Sequence, residues 1–258
     1  MPVKPAFQRL SLLAGNDAVN ALGDTGVCVF GLGGVGSWTA EALVRSGVGR
    51  ISIVDSDTVC VTNINRQVQA LSGTVGQPKA AALKKRLLEI NGDCQVHAFE
   101  KVFSKENAGL FELEKTDYII DAIDSLGFKL DLIETAAARG ITLYSSMGMA
   151  QKLDPTRLKT ASIWETGGCP LARLVRAGLR KRGYRGDFTA VYSDERLPLS
   201  AGAESFCGKK NCLCQAAPGA VEWCSSKKVI NGSAVTVTAT AGMILAALVI
   251  QDLYAKFT

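Results

Sequence analysis

The sequence predicts an α/β fold: a doubly wound, mainly parallel sheet with helices on both faces and a C-terminal strand–helix extension. Three observations carry this. Short apolar runs alternate with helix-period segments between residues 27 and 145. Four glycines, Gly31, Gly33, Gly34 and Gly36, follow the first run directly. Asp55 closes the second run, about 20 residues on, where such sheets hold a ribose.

Each element follows from its pattern. Residues 5–22 carry Phe7, Leu10, Leu12, Leu13, Val19 and Leu22 at helical spacing and read as one or two amphipathic helices. Val27–Phe30 is a short buried strand, Ser37–Ser46 a helix stopped by Gly47, and Arg50–Asp55 a second strand. Residues 56–77 are polar and irregular, and Pro78 opens a helix through Ile90. Strands follow at Gln95–Phe99, Asp117–Asp121 and Ile141–Ser145, with a helix over 127–139. Leu171–Arg182 is a basic helix and 183–228 a Gly-, Ser- and Cys-rich excursion. Ala234–Thr240 reads as a returning strand because it alternates, and Gly242–Tyr254 as a closing helix.

At 258 residues and 47% hydrophobic, the chain suits one compact domain, 1–258, with a core at 5–150 and a C-terminal substrate or dimer region at 151–258. Lys and Arg number 29 against 24 Asp and Glu, a balance compatible with a polyanionic partner. No signal-peptide pattern opens the chain, and Thr236, Thr238 and Thr240 break its longest apolar region. The protein is therefore expected in the cytoplasm and off membranes, with its eight cysteines mostly as thiols. The single histidine, His97, lies in an alternating strand pattern, which leaves no two-histidine zinc helix and puts acid–base chemistry on Asp, Glu, Lys or Cys.

The glycine loop between strand and helix is a phosphate cradle, and by itself fits either a nicotinamide dinucleotide or ATP. The residues after Asp55 separate the two. Asp57, Asn65, Arg66 and Lys79 follow in DSDTVCVTNINRQ and TVGQPKA, and Asp124 in DAIDS. Hydride transfer does not require such cations, whereas a triphosphate being cleaved does, because charge builds on the departing pyrophosphate. Asp124 falls at the sheet's carboxyl edge, from which a carboxylate could hold Mg²⁺. Read singly, Arg66 and Lys79 are equally surface charges and Asp124 a helix N-cap; in this order they point to ATP.

GLGGVGSW, DSDTVCVTNINRQ, TVGQPKA and DAIDS together resemble the Rossmann-like, ubiquitin-activating-enzyme-like adenylyltransferases. LDPTRLK, CPLARLVR, VYSDE and NGSAVTVTATAG extend the resemblance over nearly the whole chain to the tRNA threonylcarbamoyladenosine dehydratase branch. The resemblance implies ATP-dependent, AMP-forming cyclisation of a modified adenosine beside the tRNA anticodon, by a homodimer. It implies that Gly31–Gly36 and Ser37 cradle phosphates, and that Asp55 binds ribose. Asp57, Asn65 and Arg66 then line the triphosphate, Lys79 stabilises pyrophosphate and Asp124 organises Mg²⁺. Arg9 falls where relatives reach into the partner subunit's site. A monovalent cation and a sulfur-donor or cysteine desulfurase-type partner are further expectations of the wider family.

Other readings are an adenylyltransferase for the C-terminal carboxylate of a ubiquitin-like sulfur carrier, and a nucleotide-binding regulator without catalysis. Arg66, Lys79 and Asp124 argue against the regulator. Arg173, Arg176, Arg180 and Lys181 crowd one short span, and the three arginines share a helical face suited to tRNA phosphates. Cys169 stands at a helix start, which favours a thiolate, but a small neighbour of the cap with no chemical role is the simpler reading. Cys207, Cys212, Cys214 and Cys224 are numerous enough for zinc, but their C-x4-C-x-C-x9-C spacing departs from the paired C-x-x-C motifs of sulfur-transfer relatives. That departure argues against zinc and against the sulfur-carrier reading.

Overall fold

The computed structural model describes residues 3–196 and 231–257. Among the described residues seven strands form one sheet: β1 (Gly26–Phe30), β2 (Arg50–Val54), β3 (Gln95–Phe99), β4 (Tyr118–Asp121), β5 (Thr142–Ser146), β6 (Leu158–Ser162) and β7 (Thr189–Ser193). Their order is β3-β2-β1-β4-β5-β7-β6. All pairs are parallel except β6 with β7. The strand order reverses at β1, between β2 and β4, so a crevice opens at their carboxyl ends.

The five strands expected between residues 27 and 145 appear within a residue of their bounds. All five residues of β1 are buried, as a strand covered on both faces requires. On one face lie α3 (Gly36–Arg45), α4 (Lys79–Ile90) and α7 (Val235–Tyr254), packed over Val29, Ile51, Ile53 and Ile120. On the other lie α5 (Leu126–Arg139) and α6 (Pro170–Lys181), packed over Phe30, Ile119, Leu143 and Ala190. Phe7 of the amino-terminal segment, which runs into α1 (Gln8–Ala14) and α2 (Asn16–Asp24), rests against Gly47. His97 is the strand residue expected, on β3, its Nδ1 against Glu112.

Three expectations are corrected. Residues 234–240 are not a strand but the start of α7. Alternation there is incidental: Val237, Ala241, Leu245 and Val249 are buried at i, i+4 spacing, and Thr238 and Thr240 return their hydroxyls to carbonyls four residues back. Pro78 is the residue before α4 rather than its first turn, since it bridges back to Thr58. The segment after Gly148 supplies two further strands, β6 and β7, the latter inside the expected excursion. The rest of that excursion, including Cys207, Cys212, Cys214 and Cys224, lies outside the described residues. α7 is long and apolar enough, by length and composition, to cross a membrane, but its apolar stripe packs against α3 and the sheet.

Candidate active site

The glycine loop joins β1 to α3, and its glycines do different work. Gly31 has φ +86°, and a Cβ there would lie 2.6 Å from the Ala122 carbonyl oxygen. A Cβ on Gly36 would lie 1.9 Å from the Gly31 oxygen. Both positions are therefore dictated by the packing of loop, helix and strand. Gly33 differs: a Cβ there would meet nothing within 4 Å, so its missing side chain leaves room for an incoming group. Ser37 is buried and its hydroxyl accepts from the Val68 amide at 3.3 Å, so it joins α3 to the following turn rather than facing the crevice.

Asp55 follows β2. Its Oδ2 accepts the Leu32 amide of the glycine loop (2.7 Å) and its Oδ1 the Asp57 amide (2.8 Å). The carboxylate thus shapes the loop that it faces. Residues 57–59 then pair back with 76–79: the Val59 amide donates to Gln77 (2.8 Å) and the Lys79 amide to Asp57 (2.9 Å). Gly76, at φ +88°, makes that return possible. It brings Lys79 home, buried, with Nζ 2.7 Å from Asp57 Oδ2 and 3.9 Å from Asp55 Oδ1. Burial pushes the Asp55 carboxyl above the usual carboxylate range, with Lys79 pulling against it. Burial also acts to lower the Lys79 ammonium, but Asp55 and Asp57 outweigh it and hold that group above its ordinary value.

Arg66 is half-buried on the turn after β2. Its Nη1 donates to the Thr62 carbonyl (2.8 Å) and Asn65 Oδ1 (2.9 Å), and its own carbonyl accepts Trp38 Nε1 (3.0 Å). A Cβ on Gly34 would lie 3.2 Å from Arg66 Cγ, so this side chain borders the glycine loop. Asn65 Nδ2 donates to the Ser233 carbonyl (2.8 Å), which ties the turn to the approach of α7. Asp124 is exposed in the loop after β4, at the same sheet edge. Ser125, not Asp124, precedes α5 as its cap residue.

The structure therefore gathers the glycine loop, Asp55, Asp57, Asn65, Arg66, Lys79 and Asp124 at the carboxyl edge. It does not bring Arg9 to them. Arg9 is exposed on α1, whose neighbouring Lys4 pairs with Asp93 just before β3, at the opposite edge. The basic helix forms as α6, but its arginines differ in use. Arg176 reaches inward, its Nη1 donating to the Thr166 carbonyl (2.8 Å) and touching the Thr166 hydroxyl. Arg180 lies over the Trp164 ring at 5.3 Å, while Arg173 and Lys181 are exposed. Cys169 is buried at the start of α6.

Two features escaped sequence reasoning. Beneath the Asp124 loop, Asp121 and Lys129 form a fully buried ion pair at 2.6 Å. Lys129 also donates to Ser145 Oγ (3.2 Å) and the Ser146 carbonyl (3.0 Å); Asp121 accepts Ser145 Oγ (2.7 Å) and the Ile123 amide (3.1 Å). The available signal was a lysine on the apolar stripe Leu126–Lys129–Leu130–Ile133 of α5. Gln69 is the second: buried, it donates Nε2 to the Leu32 carbonyl of the glycine loop (2.9 Å). Among the described residues, its Oε1 is the one buried side-chain oxygen or nitrogen without a partner.

The model of the ThiF family matches residues 7–255. The tRNA threonylcarbamoyladenosine dehydratase of Bacillus subtilis (strain 168) is 45% identical over 189 residues, 73% of this chain and 74% of that protein. The tRNA threonylcarbamoyladenosine dehydratase of Escherichia coli (strain K12) is 33% identical over 97% of this chain and 94% of its own. The solved structure of the E. coli dehydratase in complex with ATP superposes with a TM-score of 0.81 at 31% identity, covering 99% of this chain and 98% of that one. The chain belongs to the ThiF family, in its tRNA threonylcarbamoyladenosine dehydratase branch.

Proposed function

We propose that the protein is an ATP-dependent tRNA threonylcarbamoyladenosine dehydratase, acting on N6-threonylcarbamoyladenosine at position 37 of tRNA. The observation that carries this reading is the convergence of a glycine loop, a ribose-side carboxylate and a buried lysine at one sheet edge, in a chain that matches dehydratases along nearly its full length. The match favours the dehydratase over the sulfur-carrier adenylyltransferase.

The chemistry follows from charge. A carboxylate is a poor electrophile, because oxide would have to leave. Its oxygen instead attacks the α-phosphorus of ATP and pyrophosphate departs. A neighbouring nucleophilic atom of the same threonylcarbamoyl group then attacks the activated carbonyl. The ring closes, and AMP leaves with the former carboxylate oxygen, which completes a dehydration. The second step is intramolecular, so proximity supplies much of its barrier reduction and no protein nucleophile is needed. Lys79 and Arg66 stabilise the phosphate charge, and the space at Gly33 lets backbone amides approach it. Among the described residues no three His, Cys, Asp or Glu side chains converge as a metal site. Mg²⁺ takes one or two carboxylates plus phosphate oxygens and water. Asp124 would hold it, and the ion would supply further neutralisation of phosphate charge. A monovalent cation and a sulfur-donor partner rest on the family resemblance alone.

A homodimer is part of this reading. Leu12 and Leu13 are each 82% exposed on α1, beside Arg9. A second copy covering that face is the arrangement in which Arg9 would take the role that the family resemblance implies for it, reaching into the partner subunit's site. For tRNA, Arg173, Arg180 and Lys181 are the phosphate contacts of the basic helix, with Arg176 holding Thr166 in place. The enzyme then works in the cytoplasm with its tRNA. Incubation with ATP, Mg²⁺ and threonylcarbamoylated tRNA tests the reading: AMP should form only with the modified tRNA. AMP formation driven instead by a sulfur-carrier protein would overturn it.

A further inference from the structure

Among the described residues three lysines are buried: Lys79, Lys129 and Lys152. Lys79 is paired with Asp57 at 2.7 Å and Lys129 with Asp121 at 2.6 Å. Lys152, only 4% exposed, has no carboxylate within ion-pair distance among the described residues; its Nζ donates to the Glu195 backbone carbonyl at 2.7 Å. An ammonium carries three donors, and burying one unpaired is costly. The Glu195 carboxylate stays with the following backbone, its Oε2 accepting the Leu153 and Asp154 amides, each at 3.0 Å. Among the described residues, two donors of this ammonium are thus left without an acceptor.

The segment that carries Lys152 is built to hold it. It leaves β5 at the carboxyl edge, with the Met147 amide on Val191 (2.8 Å). Gln151 adopts φ +58°, a left-handed conformation that costs a non-glycine residue free energy, and its amide donates to Gly232 (2.9 Å). The next residue, Ser233, accepts Asn65 from the Arg66 turn. Glu195 clamps the other side, its amide donating to Ser193 Oγ at 3.2 Å. Strain and clamps together fix one ammonium beyond β5 and β7, on the opposite side of β4 from the Asp55–Lys79 cluster. Bound ATP engages Arg66 and Lys79, so neither is free to seat the other anion of the reaction.

We infer that Lys152 seats the carboxylate of the threonylcarbamoyl group, presenting its oxygen to the α-phosphorus. This rests on the dehydratase reading and adds the residue that recognises the substrate's reacting group. Substrate binding supplies a carboxylate for the two remaining donors, and leaving them unused in the free protein is the cost of having that ammonium ready.

The test uses the full chain and two forms of one tRNA, with and without the threonylcarbamoyl group, in binding assays at one fixed salt concentration. The wild type should bind the modified tRNA at least tenfold more tightly. Lys152→Met should bind the two equally, keep ATP affinity within twofold, and melt no lower than the wild type, since it removes a buried ammonium with no ion-pair partner among the described residues. Lys152→Gln provides the same comparison should the methionine variant fold poorly. Unchanged discrimination in a folded variant would overturn the inference. So would a joint loss of melting temperature, ATP affinity and discrimination, which marks a merely structural lysine. If the wild type fails to discriminate yet forms AMP with modified tRNA, this inference falls and the dehydratase reading stands; if it does neither, both fall.

Discussion

Lys129→Met isolates the buried pair under the Asp124 loop. It replaces the ammonium with an apolar chain of similar length and leaves Asp121 fully buried with two donors, the Ser145 hydroxyl at 2.7 Å and the Ile123 amide at 3.1 Å. Breaking a buried pair by removing one partner costs roughly 3–5 kcal/mol, and the two remaining donors put this case near the lower end, about 3–4 kcal/mol. For a chain of this size that is a fall in melting temperature of roughly 6–16 °C. Adding Asp121→Asn removes the stranded charge while an amide can still meet Ser145. The double variant should recover to within about 1–2 kcal/mol of wild type, a coupling of at least about 1 kcal/mol. Circular dichroism melts and urea titrations of the four proteins measure the cycle. A single variant that melts within about 2 °C of wild type, or a double variant no better than the single, would refute the account of the pair.

Other outcomes follow from the site. Gly33→Ala should fold and melt normally but lose about tenfold or more in ATP affinity by calorimetry, whereas Gly36→Ala should destabilise the free protein, because its Cβ would fall 1.9 Å from the Gly31 oxygen; equal effects on stability would contradict the division between them. Lys79→Ala should slow tRNA-dependent AMP formation by roughly 10²–10³, and Asp124→Ala should nearly abolish it; a quench-flow rate near wild type in either removes that residue from the site. Burial pushes the Glu41 carboxyl up, but its bonds to Arg86 (2.5 Å) and Arg45 (2.9 Å) outweigh that and leave it below its ordinary value of 4.5. Its folded value is the depressed one, so its stabilisation is present above about pH 4.5 and disappears as pH falls through the folded value. Melting temperatures of wild type and Glu41→Gln should therefore converge on acidification, and parallel curves would contradict this.

The parallel core was legible because its signals are local. Fully buried strands read as apolar runs, Asp55 and Asp121 mark their carboxyl ends, and Gly47 closes α3. The errors lie where tertiary packing overrode a local pattern. Alternating Val and Thr in 234–240 fit a strand as well as a helix, and the choice was made by α3, against which Gly242 lies with its Cβ position 2.6 Å from the Val35 oxygen. β6 and β7 were obscure because each is completed by the other, Leu158 facing Ser193 and Ser162 facing Thr189. Ser37 sits where a phosphate contact is expected by motif, yet its hydroxyl turned to Val68.

By itself the sequence determined the chemistry available: the glycine loop, the acids that end the strands, and the cations Arg66 and Lys79 in fixed order. Backbone conformation and residue type are local properties, so they can be read along the chain. Only the tertiary structure decided which charges meet. It paired Lys79 with Asp57 and buried Lys129 against Asp121. It turned Arg176 inward to Thr166, sent Arg9 to the far edge, and buried Lys152 with no ion-pair partner among the described residues. Burial and partnership depend on segments far apart in sequence, and they set the strength of a charge as much as its identity does.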